Sequence, residues 1–126
     1  MNKVVHFEIP AADVDRAKKF YAGAFGWQIT SMPEMSYHMV TTTPVGEDFR
    51  PKEPGSINGG MLKRQDIYQS PVLVIEVEDI KTGVERVKAA GGEIVKDPFK
   101  VGDMGMAAYF KDPEGNVLGM WQTLRR

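Results

Sequence analysis

The chain has 126 residues, 42% apolar and 26% charged, which is the size of one domain with enough apolar side chains for a packed core. Sixteen basic and seventeen acidic residues leave a formal charge of −1, so there is no charge excess to attract nucleic acid or an anionic membrane. The absence of cysteine excludes disulfides, thiolate nucleophiles and sulfur-ligated metals, and the longest apolar run, Met106 to Phe110, falls far short of the roughly 20 residues that cross a bilayer. With Met1-Asn2-Lys3 leading directly into an alternating segment, no signal peptide is expected and a cytoplasmic location is.

In chain order, Val4–Ile9 alternates as a strand, and Asp13 then opens a helical pattern that runs to Gly26. Asp suits the N-cap and Gly the left-handed residue at the end. Strands are predicted at Trp27–Met32, Tyr37–Thr43 and Ile57–Lys63, the last two separated by a Pro- and Gly-rich loop from Thr43 to Ser56. A loop of that length either covers a binding site or is a tolerated surface insertion. The pattern then repeats. Val72–Val77 reads as a strand, Asp79 opens a second helix, and a glycine again follows thirteen residues after the Asp, at Gly92. Glu93–Asp97, Met104–Phe110 and Val117–Thr123 are the next strands, the last two joined by the turn Asp112-Pro113-Glu114-Gly115.

Matching offsets of Val14, Tyr21 and Ala24 with Ile80, Val87 and Ala90 make this a tandem repeat of strand, helix and three strands. The predicted class is α+β, two βαβββ modules at about residues 1–65 and 66–126 in a single domain. Each is too small to hold a core alone. Short connections favour antiparallel neighbours, whereas the helical crossover permits a mixed sheet.

The ordered set Val5-His6-Phe7-Glu8-Ile9-Pro10, Asp13 to Gly26-Trp27, Asn58-Gly59-Gly60-Met61, Val77-Glu78-Asp79-Ile80, Val87 to Gly92 and Tyr109 to Val117 resembles the vicinal oxygen chelate superfamily. This is the glyoxalase, bleomycin-resistance and extradiol-dioxygenase group, and the resemblance covers nearly the whole chain. It implies sheets curled into a half-barrel around a small-molecule cavity, commonly within a homodimer. Metal enzymes of the group hold a divalent ion with His, Glu or Gln from the first and last strands of the modules. His6 matches the first-strand ligand position, but its repeat mate is Val72, and Gly119 stands at the last-strand position.

One ligand of that set is therefore present, and no tightly bound cofactor is expected. Strand parity places Glu8 on the face of His6, and the resemblance turns both toward the cavity, with Gly119 and Trp121 on an opposing strand. His6, Glu8 and Trp121 are the candidate binding residues; no catalytic residue is assigned. If a metal is bound, His6 is its ligand, with Glu8, Glu76, His38 or Gln122 as further donors. His38 is equally suited to solvent, since Tyr37 and Met39 take the other face of its strand. Trp27, Tyr37, Tyr109 and Trp121, with eight methionines, suit either an adaptable apolar cavity or ordinary core. Glycines 59, 60 and 119 leave room either for a ligand or for close backbone packing.

Three functions follow: a metal-free protein that binds or sequesters a small molecule, favoured because the chelating set is depleted; a divalent-metal lyase, isomerase or oxygenase; and a regulatory or structural dimer without a dedicated ligand. Val72 and Gly119 disfavour glyoxalase I activity in particular. Expected partners are a small-molecule ligand and a second copy of the chain, with no nucleic acid and no membrane.

Overall fold

The computed structural model describes residues 1–48 and 50–124, so the Arg125–Arg126 tail and one position of the long loop lie outside the described residues. The chain forms two compact units, His6–Pro71 and Met1–Val5 with Val72 onward, here called the first and second modules.

Each module repeats the same α+β plan. In chain order the first holds β1 (Val4–Ala11, which it shares with the other unit's Val4 and Val5), α1 (Val14–Phe25), β2 (Gln28–Met32), a 3-10 turn at Pro33–Met35, β3 (Tyr37–Thr41) and β4 (Asn58–Lys63). The second holds β5 (Val72–Glu76), α2 (Ile80–Ala89), β6 (Glu93–Val101), β7 (Gly105–Lys111) and β8 (Val117–Thr123). Strand order is β2-β3-β4-β1 in the first and β5-β8-β7-β6 in the second. The strand before each helix pairs in parallel with the last strand of its module, and the other pairs are antiparallel, so both sheets are mixed. The helical crossover is what lets the first and last strands run in the same direction.

Local chemistry sets the helix ends. Asp13 accepts from the Arg16 backbone N–H at 3.0 Å and Asp79 from that of Thr82 at 2.9 Å, so both acids act as N-caps. Gly26 ends α1 in the left-handed region at φ 72°. At α2 the prediction shifts by one: the left-handed residue is Gly91, at φ 101°, rather than Gly92. Gly92 serves packing instead, since a Cβ there would meet Val87 Cγ1 at 2.7 Å.

The strand ends also moved. β6 continues past the expected Asp97 to Val101 because it is an edge strand with register shifts on either side of Lys96, the setting in which a sheet tolerates Pro98. β3 stops at Thr41, two residues early. There the Asn58 side chain replaces the ladder: its Oδ1 accepts from the N–H groups of Thr42 at 2.7 Å and Thr43 at 3.0 Å, and its Nδ2 donates to the Thr43 carbonyl at 3.1 Å. This clamp fixes the base of the long loop, whose described part closes on a Val45–Pro51 bridge.

In each module one sheet face packs on the helix. Ala11, Val40 and Met61 are buried with Phe7, Val14, Ala17, Tyr21, Trp27 and Ile29 around them. Ile80, Val84, Ala108 and Met120 form the matching core of the second module. Among the described residues no helix is long and apolar enough to cross a membrane.

Candidate functional site

Alternation along β1 sends Phe7 and Ala11 into the core under α1, so His6 and Glu8 stand on the other sheet face. Parallel pairing sets His6 beside Asn58 and Glu8 beside Gly60, and antiparallel pairing sets Gly60 beside Met39. Tyr37 shares Met39's face. Its ring lies over Gly60, where a Cβ would fall inside the phenol, so the bare glycine is what lets the hydroxyl reach across the sheet.

Tyr37 Oη donates to Glu8 Oε2 at 2.8 Å and lies 2.9 Å from His6 Nε2. With its hydrogen given to Glu8, the phenol oxygen accepts from His6. That assigns the Nε2–H tautomer and leaves Nδ1 as an acceptor. The His6 and Tyr37 rings are nearly parallel, with an interplanar angle of 16°. Glu8 is only 5% exposed.

Burial drives the electrostatics. It lowers the His6 pKa from 6.5 to about 4, so the imidazole is neutral at pH 7. It also raises the Tyr37 pKa, reinforced by the charge and hydrogen bond of Glu8 and then by Tyr68, and the phenol keeps its proton. The result is a directed chain, imidazole to phenol to carboxylate, which can order a ligand's polar group and hold or accept a proton at defined atoms.

The other candidates are placed differently. Trp121 belongs to the second module, opposite Glu76, where its Nε1 donates to Thr123 Oγ1 at 2.9 Å and Thr123 Oγ1 to Glu76 Oε2 at 3.5 Å. Its ring covers Gly105. His38 lies on the sheet face opposite to His6, with Nδ1 at 3.1 Å from Ser31 Oγ. Gln122 is drawn to the start of α2, accepting from the Ile80 N–H at 2.8 Å. His38 is therefore not placed to join His6 in binding a metal, and the Gln122 side-chain oxygen is already engaged. The room left by the glycines is filled from within: Phe7 covers Gly59, Tyr37 covers Gly60, and the Tyr109 ring would stand 3.1 Å from a Cβ on Gly119.

A divalent ion needs several donors turned to one point at about 2.0–2.6 Å. His6 Nε2 and the Glu8 carboxylate are turned instead to a phenol, Val72 and Gly119 offer no side-chain donor, and no cluster of three His, Asp or Glu suited to a metal occurs among the described residues. This donor set does not fit a tightly held ion.

Sequence reasoning offered Tyr37 as a cavity or core aromatic and missed the role of its hydroxyl between His6 and Glu8. Its signal was present in two halves, the alternation of Tyr37 with Met39 and the glycine pair at 59 and 60, but only the β3–β4 register joins them.

Comparison with known proteins agrees with the fold. Residues 3–43 match the bleomycin resistance protein-like N-terminal family. A glyoxylase-like domain-containing protein of Didymella fabae is 35% identical over 115 residues, 87% of this chain and 85% of that protein. A Mycobacterium tuberculosis protein that carries a provisional glyoxylase name is 31% identical over 94% of this chain, which spans only 44% of its length. Methylmalonyl-CoA epimerase of Streptomyces coelicolor superposes with a TM-score of 0.68 at 12% identity, covering 98% of each chain, a likeness of fold.

Proposed function

This chain belongs to the glyoxalase-like family of the vicinal oxygen chelate superfamily, and we propose that within it the protein binds a small molecule without a tightly held metal. The observation that carries this reading is the Tyr37 hydroxyl set between His6 and Glu8. It engages the two side chains that a metal would require and leaves a neutral imidazole whose Nδ1 accepts from a ligand N–H or O–H. The alternative, a divalent-metal lyase, isomerase or oxygenase, draws on the same convergence, with both donors released from Tyr37.

We also propose a homodimer in the cytoplasm. The Mycobacterium relative carries more than twice the length matched here, which two copies of this chain would supply, and the lack of cysteine suits a reducing compartment.

Elemental analysis of protein purified without affinity-tag metal or chelator tests the function, combined with native mass spectrometry after exposure to a cell extract. The expected result is substoichiometric metal and a retained small molecule that is lost on His6→Ala. Stoichiometric metal that disappears on His6→Ala would overturn the metal-free reading in favour of the enzyme.

A further inference from the structure

A second feature of the first module lies where β1 hands over to α1. An open pocket of about 430 Å³ is formed there, within the usual range for small-molecule sites, and none of His6, Glu8 and Tyr37 lines it. Its apolar wall includes Ile9, Phe20 and Tyr21, and Arg16 and Arg64 also line it, with the Arg64 guanidinium at the Pro10 carbonyl.

We propose that this pocket is a separate binding site for an anionic small molecule with a flat apolar body, its anionic group held by Arg16 and Arg64 and its body lying on Phe20.

Both arginines are fixed at the same junction. Asp13 caps the turn of α1 that bears Arg16, and the Arg64 N–H donates to the Ala11 carbonyl at 3.0 Å. Arg64 spends one of its five N–H donors on the Pro10 carbonyl, at a long 3.4 Å. Two arginines face one acid among the lining residues, and that acid, Asp13, already accepts from the Arg16 backbone. The rim is therefore net positive, with planar donors that match a carboxylate, sulfonate or phosphate. Phe20 is 58% exposed although it packs edge-on against Tyr21 and Phe25, and a flat ligand would cover apolar area that water now meets.

The test is a fluorescence titration with 8-anilinonaphthalene-1-sulfonate, a flat anion, and with N-phenyl-1-naphthylamine, the same ring system without the sulfonate. The wild type should bind the anion, and Arg16→Gln/Arg64→Gln should weaken it about ten-fold or more, the usual loss for hydrogen bonds to a charged group. Phe20→Ala should weaken both dyes, His6→Ala should change neither, and the neutral dye should ignore the double arginine substitution. Arg16, Arg64 and Phe20 are exposed, and a cooperative melt verifies that each variant, His6→Ala included, is folded. Equal affinity of the wild type for the two dyes, no binding of the anion, or anion binding that survives the double substitution would overturn the proposal. Loss of the anion on His6→Ala would overturn it too, by placing the dye on the other sheet face. Retention of the site with stoichiometric metal at His6 would instead fail only the reading above.

Discussion

Where the first module sets Glu8 beside Gly60, the second sets Val74 beside Gly119, and in both a tyrosine from the neighbouring strand comes over the glycine. Tyr109 pairs directly with Gly119 and stacks on Phe99, at 6.3 Å between ring centroids. Tyr37 reaches Gly60 from two residues along its strand and extends to Glu8 and His6. The positions of His6 and Glu8 are Val72 and Val74 in the second module. The difference separates two demands on the fold. A glycine that admits an aromatic ring is part of the shared packing plan, whereas a hydrogen-bonded proton chain arises only where the strand beside that glycine carries polar side chains.

The largest effect expected from disturbing this comparison is that of Gly60→Ala. Its Cβ occupies the phenol's place, so Tyr37 is expelled and the buried Glu8 loses the Tyr37 hydrogen bond. Chemical denaturation should show a loss of about 3–4 kcal/mol, combining the loss of a buried hydrogen bond to a charged group with disrupted packing. A loss below that of Gly119→Ala would mean that Tyr37 does not lie over Gly60.

Next in size is the response to acid. His6, in the first module, has a depressed pKa. Between pH 6.5 and about 4 the unfolded chain takes up a proton that the folded His6 refuses. Stability is therefore complete above pH 6.5 and declines as the pH falls toward 4, by at most about 3 kcal/mol from this residue. Denaturation curves of His6→Gln should show a shallower slope in that window. A wild-type slope in His6→Gln would show that His6 is not held neutral.

Tyr37→Phe keeps the ring over Gly60 but removes the hydroxyl, so it should cost about 1–3 kcal/mol, the range for losing hydrogen bonds to buried polar and charged groups. It should also raise the His6 pKa toward 6.5 if the vacated space admits water. The smallest effect is that of Gly119→Ala, where the Tyr109 and Val74 atoms stand 3.1 and 3.3 Å from the new Cβ and can yield slightly. About 1 kcal/mol is expected there. A cost equal to that of Gly60→Ala would erase the distinction between the two glycines.

The repeat made the fold legible. Asp13 and Asp79 marked both helix starts because an N-cap needs a short acceptor, and apolar alternation located every strand to within a few residues. Parity alone put His6 and Glu8 on one face. What parity could not supply was the offset of one strand against the next, and on that offset depend Tyr37's reach to Glu8, the turning away of His38 and the diversion of Gln122 to a helix end. Asn58 shows the same limit: it stands beside His6, yet its amide is spent on the turn at Thr42 and Thr43, a contact between strand ends that no local pattern announces.

The neutral His6 donor at the head of the hydrogen-bond chain carries the metal-free reading proposed above. Its most direct test is the ¹⁵N spectrum of the His6 imidazole across a pH titration, repeated with one equivalent of zinc. A protonated Nε2 and an unprotonated Nδ1, a midpoint near 4, and no response to zinc at pH 7 are expected. A midpoint near 6.5, an Nδ1–H tautomer, or a stoichiometric zinc-induced shift at Nε2 would contradict it.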